Sequence, residues 1–174
     1  MKIHLGCGGR RLEGYVNIDV QAPSADMHVD VRNLPFEDGS VDEIYASHVL
    51  EHFGRHEYKA VLKEWRRVLR MGGKIYISVP DIESSFKHYA KHGDLPALYG
   101  AFWGGQRDEY DYHKIGFNFK TIEAALTETG FTATARYNTF EYLPAEFDDY
   151  SKAYLPHMDF SGQQMSLNVC STAA

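Results

Sequence analysis

Long hydrophobic runs are missing from this sequence. No stretch of about 18 apolar residues occurs, so no membrane-spanning helix is predicted. Residues 1–30 also lack the apolar core and the small-residue cleavage site of a signal peptide. Cysteine is scarce, and the two cysteines, Cys7 and Cys170, are typical of free thiols when no secretory context accompanies them. We therefore expect a cytoplasmic protein without a membrane partner.

An excess of positive charge is also absent. Lys and Arg number 18 against 24 Asp and Glu, which gives a formal charge of −6 and argues against general affinity for phosphate backbones. We therefore expect no nucleic-acid partner. Hydrophobic residues make up 44% of the chain and aromatic residues 14%, more than a disordered chain shows. No internal repeat is visible, and 174 residues suit one domain over 1–174.

The opening residues carry the most informative pattern. An apolar strand over 2–5 leads into the glycine-rich turn 6–9, and a second strand over 15–20 has Asp19 near its end. This order predicts a nucleotide-type pocket at the carboxyl edge of a parallel sheet. The link between the two strands is shorter than the roughly dozen residues that a crossover helix needs. Either the usual first helix is reduced to a turn, or the two strands are not neighbours.

The rest of the chain alternates between strand and helix patterns. Further strands are predicted over 27–31, 41–46, 74–79, 131–140 and 163–172. Helices are predicted over 55–71, which Gly72-Gly73 would end, from Asp81 as cap to about residue 92, and over 118–129. Together these elements predict an α/β fold: a single-domain, Rossmann-like, seven-stranded, mostly parallel sheet with helices on both faces and a shortened first crossover.

Two segments lack regular periodicity. Residues 93–117 are rich in glycine and aromatic side chains, and a long loop of this kind in a compact domain usually serves a site. Residues 141–162 are acidic and aromatic. This second segment is predicted to be either a lid or a contact between two copies of the chain, so a homodimer stays open.

The ordered motifs resemble the class I S-adenosylmethionine-dependent methyltransferases. They are LGCGG at 5–9, the acid Asp19, DVRNLPFEDGSVDEIYASHVLEH at 30–52, EWRRVLRMGGKIYISVPD at 64–81, and ETGF at 128–131. The resemblance implies S-adenosylmethionine as cofactor. It also implies these contacts: Gly6, Cys7 and Gly8 with the methionine part, Asp19 with the ribose hydroxyls, Asp30 and Val31 with the adenine, and Ser47 and His48 near the sulfonium.

The same resemblance bears on the acceptor. GGQ at 104–106 and DYHKIGF at 111–117 are similar to segments of small methyltransferases of sugar or polysaccharide pathways, which implies a sugar or sugar-nucleotide hydroxyl as acceptor. Many relatives cover the cofactor with helices that precede the first strand. Since this sequence opens on that strand, we expect the aromatic loop or a second subunit to close the site.

Methyl transfer is an in-line displacement at a carbon that the sulfonium already activates. Orientation of the acceptor can therefore supply much of the catalysis, and no metal is required. A hydroxyl acceptor benefits from a general base, and histidine is the usual choice. His48 and His113 are the candidates for this role. Gln106, Tyr112 and Trp103 are candidates for orienting a polar acceptor.

Other interpretations of these motifs stay open. Residues 48–52 spell H-x-x-E-H, a zinc-protease signature in which His48 and His52 would bind zinc and Glu51 would complete the motif. The segment follows a predicted strand, however, and no third ligand has persuasive spacing. A second alternative is a non-catalytic module that binds S-adenosylmethionine. A nicotinamide pocket fits less well, because Arg11 stands where that fingerprint needs a small residue and Asp19 comes too early.

Overall fold

The structure is a computed structural model that describes residues 1–174. The strands are β1 Lys2–Leu5, β2 Val16–Asp19, β3 Met27–His28, β4 Val41–Ser47, β5 Leu69–Pro80, β6 Phe131–Arg136, β7 Tyr154–Leu155, β8 Gln163–Gln164 and β9 Ser166–Ala173. Seven of them form one sheet in the order β3-β2-β1-β4-β5-β9-β6, while β7 and β8 pair separately. Strands β1 to β5 are parallel, and β9 is antiparallel to β5 and β6. The predicted seven-stranded, mostly parallel sheet is confirmed.

The first crossover contains no helix. Strands β1 and β2 are parallel neighbours, with Ile3 opposite Val16 and Leu5 opposite Ile18. Residues 6–15 connect them through turns and extended backbone. The first of the two alternatives for this link is therefore correct, and the strand ends carrying Gly6 and Asp19 lie side by side.

The helices are α1 Tyr58–Val68, α2 Ile82–His92, α3 Tyr99–Trp103, α4 Phe119–Glu128 and α5 Thr139–Tyr142. One face of the sheet is covered by α1 and α4, whose apolar side chains join the main core together with the sheet residues Ile44 and Ile75. Caps fix two of the helix starts: Asp81 accepts hydrogen bonds from the first turn of α2, and Asn118 forms a capping box on α4. None of the helices combines the length and the apolarity that crossing a bilayer requires.

The opposite face carries the short α5 and an aromatic layer. Tyr45 and Tyr76 point to this face because side chains alternate along a strand, and the ring of Tyr76 stacks on Tyr142 at 3.8 Å between centroids. Leu12 and Phe147 complete this smaller core. The absence of a helix in the first crossover explains why residues 139–152 cover this side of the sheet.

Several boundaries differ from the sequence prediction: β3 ends at His28, α1 begins at Tyr58, and the strand predicted over 163–172 is divided into β8 and β9. Helix α1 ends at Val68, and β5 begins directly at Leu69, so Gly72-Gly73 lie inside the strand and do not end the helix. The ladder to β4 shifts register here, and Gly72 has a φ of +73°, which identifies a bulge. Strand β6 ends at Arg136, short of residue 140, because Asn138 caps α5.

Candidate functional site

A cleft of about 1120 Å³ lies at the carboxyl ends of β1, β2 and β4. This is the edge where parallel α/β sheets bind their ligands, and typical small-molecule pockets measure roughly 300–1,000 Å³. The structure brings together on its wall all the residues predicted to contact a cofactor: Gly6, Cys7, Gly8, Asp19, Asp30, Val31, Ser47 and His48. His113 also lines the cleft.

The glycines of the turn serve different purposes. Gly6 has a φ of +62°, and a Cβ there would collide with Val49 Cγ2, so packing within the chain requires this glycine. Gly8 has a φ of +51° and no heavy atom within 4 Å of the Cβ it lacks, so the space beside Gly8 is open to the cleft. Burial raises the pKa of Cys7 to about 11, and a thiol that stays protonated is a packing residue, not a nucleophile.

Asp19 ties the turn to the end of β2. Its Oδ2 accepts the Gly8 N–H at 2.9 Å, and its Oδ1 accepts the N–H groups of Gln21 and Ala22, each at 2.9 Å. A carboxylate has about four acceptor positions, so these bonds leave about one on Oδ2 for a ligand. Asp19 is thus mainly an organiser of the turn, with capacity for one hydroxyl and not two.

Asp30 and Val31 follow β3 at the far end of the cleft. The Arg32 guanidinium donates hydrogen bonds to the Asp30 carboxylate through Nε and Nη2, and these bonds hold the pKa of Asp30 below its ordinary value. The Val31 carbonyl accepts a hydrogen bond from the Trp65 indole at 3.0 Å. The Val31 N–H makes no hydrogen bond within the chain and is available to a ligand acceptor.

Ser47 ends β4 and His48 follows it at the floor of the cleft. Ser47 Oγ is buried without a hydrogen-bond partner, and such an orphaned group in a cleft is a candidate ligand contact. His48 adopts a φ of +54°, an uncommon conformation for a non-glycine residue and one that is found at functional sites. His48 Nε2 lies 3.2 Å from Ser166 Oγ, which fixes the ring against β9.

Glu51 lies behind His48 and is completely buried. Burial alone raises the pKa of this carboxyl, but the adjacent His48, His52 and His113 outweigh it and hold the pKa below its ordinary value. Burial lowers the pKa of His113 more than the Glu51 carboxylate raises it. This buried cluster was not predicted as a unit, although the HVLEH motif contains three of its four members.

The loop after α3 closes one side of the cleft. The Lys114 N–H donates to the Glu51 carbonyl at 2.8 Å, which brings His113 beside Glu51. Asp108, at the tip of the loop, accepts a hydrogen bond from Gln21 Nε2 at 3.1 Å across the cleft. The expectation that the aromatic loop helps close the site agrees with these contacts, and sequence reasoning missed the Gln21–Asp108 pair.

The predicted acceptor contacts Gln106, Tyr112 and Trp103 lie outside the cleft wall. Trp103 and Tyr112 are 46% and 45% exposed, and Trp103 packs edge-on against Tyr99 on the outer surface. Gln106 is exposed and turns back toward the Trp103 carbonyl. The loop turns at this point, so the cleft geometry gives these three predictions no support.

The H-x-x-E-H segment does not form the helical face of a zinc protease. Only Leu50–His52 are helical, in a single 3-10 turn, and His48 precedes it with left-handed backbone. His48 and His52 therefore do not share a helix face, as that signature requires. The structure therefore does not support the alternative in which the chain is a zinc hydrolase with His48 and His52 as zinc ligands.

Known proteins resemble this chain in sequence and in fold. Residues 4–77 match the family described as Methyltransferase domain. A demethylmenaquinone methyltransferase of Staphylococcus saprophyticus is 28% identical over 138 residues, which cover 74% of this chain and 55% of that protein. A SAM-dependent methyltransferase of Thermotoga maritima aligns with a TM-score of 0.61 at 14% identity, over 99% of this chain and 82% of that one. Another, from Methanosarcina mazei, has a TM-score of 0.60 at 17% identity, over 99% and 91%.

In its fold the chain is similar to S-adenosylmethionine-dependent methyltransferases, and its residues 4–77 match the methyltransferase-domain family. S-adenosylmethionine is the cofactor of this class. The chain spans about half the length of the curated relatives it matches.

The residues present fit that cofactor. The open space beside Gly8 admits a ligand close to the backbone, and Ser47 Oγ and the Val31 N–H are polar groups without partners within the chain. The free acceptor position on Asp19 suits one ribose hydroxyl.

Proposed function

We propose that this chain is a single methyltransferase domain that transfers the methyl group of S-adenosylmethionine to a hydroxyl of a small polar acceptor, with a sugar or sugar nucleotide as the expected class. The observation that carries the proposal is the convergence of the glycine turn, Asp19, Val31 and Ser47 on one cleft. S-adenosylmethionine would supply the electrophilic methyl group when bound. The chain's own contribution is binding, orientation and removal of the acceptor proton.

In this proposal, each residue at the cofactor end of the cleft has a separate role. Gly8 lets the backbone approach the methionine portion, and Asp19 accepts a hydrogen bond from the ribose. The Val31 N–H donates to a ring nitrogen of the adenine. Ser47 and His48 would then border the methyl group, because they lie at the carboxyl end of the adjacent strand β4, at the cleft floor.

The acceptor end of the cleft is polar. Its wall includes His48, His113, Asp149, Tyr150 and Asp111. Such a wall suits a hydroxylated acceptor, because buried polar groups lose hydrogen bonds to water when they face an apolar ligand. His48 and His113 are the two candidates for taking the acceptor proton, as the sequence predicts.

A second candidate acceptor comes from the relatives. Staphylococcal proteins named demethylmenaquinone methyltransferase align with most of this chain, and a quinone of that kind is the alternative to a sugar. The exposed aromatic side chains of Tyr99 and Trp103 give an apolar acceptor some surface outside the cleft. The polar wall around His48 favours the sugar.

Binding and turnover can be tested separately. We expect calorimetry with S-adenosylhomocysteine to give one site per chain, and its absence would refute the proposal. Radiolabelled methyl transfer to a panel of sugar nucleotides and to demethylmenaquinone then identifies the acceptor. Cofactor binding without transfer to any hydroxylated or quinone acceptor would support the non-catalytic module instead.

His48→Gln and His113→Gln variants test the base. We expect one of them to retain cofactor affinity and lose at least tenfold in turnover, since a general base typically contributes about 10²–10⁴-fold. His56→Gln, an exposed histidine outside the cleft, is the matched control. Cytoplasmic location and the absence of membrane or nucleic-acid partners stay predictions, and light scattering after size exclusion would test for a homodimer.

A further inference from the structure

The Glu51 carboxylate is an unexplained feature of the buried site. Its side chain is 0% exposed, and neither Oε1 nor Oε2 has a hydrogen-bond partner. His48 Nδ1 lies 3.0 Å from Oε1 but without the alignment of a hydrogen bond, and no Lys or Arg forms an ion pair with this carboxylate. A buried carboxylate that has only histidines beside it and no aligned hydrogen bond is costly, so a compensating cation is expected there.

His52 and His113 each present a free lone pair near this carboxylate. His52 Nδ1 donates to the Tyr112 carbonyl at 3.1 Å, and His113 Nδ1 donates to the Ala101 carbonyl at 3.0 Å. Because each Nδ1 carries the proton, each Nε2 presents a lone pair. The rings lie edge to face with centroids 4.9 Å apart, and His113 Nε2 is 3.8 Å from Glu51 Oε1.

Metal-binding histidines are typically held in this way. A ligating imidazole nearly always donates its second N–H to a carbonyl or carboxylate, which fixes its tautomer and orientation. One ligand atom each from Glu51, His52 and His113 lies within 4.8 Å of the others. Zinc bonds of about 2.0–2.1 Å at tetrahedral angles place the ligand atoms about 3.4 Å apart, so binding requires these atoms to move closer by up to about 1.4 Å.

We propose that Glu51, His52 and His113 bind one divalent transition-metal ion, with zinc as the expected occupant. Two imidazoles and one carboxylate are a ligand set that zinc and ferrous iron accept, and three protein ligands leave a coordination position open. His52 and His113 line the cleft, so the open position faces the space assigned to the acceptor. The site differs from the zinc-protease arrangement, in which Glu51 would not be a ligand.

The geometry implies a function for the ion. A metal at this position neutralises the buried carboxylate and binds an oxygen of the acceptor beside the cofactor pocket, which orients the acceptor and acidifies its hydroxyl. His113 would then contribute through the metal, and His48 would be the remaining histidine for proton removal. The binding site itself does not depend on the proposed methyl transfer.

Metal titration tests the proposal directly. Tag-free protein is stripped with a chelator and titrated with Co²⁺ in the visible range and with Zn²⁺ by calorimetry. We expect one ion per chain, a visible spectrum of low-coordinate Co²⁺, and at least a tenfold loss of affinity in His52→Ala and His113→Ala. Glu51→Gln keeps the shape of the side chain and removes its charge, and we expect the same loss.

The matched control is His88→Ala. The half-buried His88 and the exposed His92 form a pair on α2, with ring centroids 4.6 Å apart, which could bind metal adventitiously. Removing His88 should leave the high-affinity site unchanged. Absence of a saturable site in the parent protein, equal affinity in His52→Ala, or loss of the site in His88→Ala would each overturn the proposal.

Binding of S-adenosylhomocysteine is measured on the same samples and shows that each variant is folded. A protein that binds the nucleoside and no metal contradicts only this inference. A protein that binds metal and no nucleoside contradicts only the proposed methyl transfer.

Discussion

Gly8→Ala gives the sharpest test of how the turn meets a cofactor. The substitution leaves the Gly8 N–H bond to Asp19 in place and meets no heavy atom within 4 Å. Its structural cost is the left-handed backbone alone, about 1 kcal/mol, which lowers the Tm of a chain of this size by about 2–4 °C. The added methyl group occupies the cleft, so we expect at least a tenfold loss of S-adenosylhomocysteine affinity, equal to about 1.4 kcal/mol.

Gly6→Ala is the contrasting variant. It carries the same backbone cost and adds a collision with Val49, for which overpacking costs typically about 1–3 kcal/mol. The sum of about 2–4 kcal/mol predicts a Tm lower by about 4–16 °C. Gly14→Ala has the same left-handed backbone and open space but lies outside the cleft wall, so it should carry the backbone cost alone and leave S-adenosylhomocysteine affinity unchanged.

Differential scanning fluorimetry and calorimetry separate these effects. The account predicts a binding defect for Gly8→Ala and a stability defect for Gly6→Ala. If Gly8→Ala binds S-adenosylhomocysteine as tightly as the parent protein, the backbone at Gly8 does not approach the cofactor and the reasoning fails.

The other predictions concern the loop after α3, the cleft floor and the thiols. Asp108→Ala removes the hydrogen bond from Gln21, which is worth about 0.5–1.5 kcal/mol. We therefore expect calorimetry to show about a 2–10-fold loss of cofactor affinity, and an unchanged Kd would show that the loop does not hold the cofactor. Ser47→Ala should leave the urea midpoint nearly unchanged, because Oγ has no partner, while weakening cofactor binding; a large loss of stability would contradict this. Iodoacetamide near neutral pH should modify Cys170 before the buried Cys7, because burial raises the pKa of Cys7 to about 11. Mass spectrometry of the labelled peptides measures the order, and preferential labelling of Cys7 would refute this prediction.

Local patterns in the sequence predict much of the fold. Alternating and β-branched runs placed the strands of the main sheet, and Asp81 and Asn118 marked two helix starts because capping is a local interaction. Gly72-Gly73 misled the prediction: a glycine pair can end a helix or form a bulge, and only the pairing with β4 distinguishes the two.

The candidate site was predictable where it follows strand ends and not where loops converge. Gly8 and Asp19 lie at the ends of neighbouring strands, so the topology alone brings them together. Gln21 and Asp108 meet through the path of a long loop, which no periodicity encodes. The same loop turns Trp103 outward and His113 inward, and the sequence treats the two as equal candidates.

The central claim is that S-adenosylmethionine occupies the cleft at the carboxyl ends of β1, β2 and β4. A crystal structure of the protein soaked with S-adenosylhomocysteine tests it most directly. The account predicts the ribose at Asp19, the adenine at Val31 and the sulfur beside Ser47. Density for the nucleoside elsewhere, or a cleft that stays empty at saturating concentration, would contradict it.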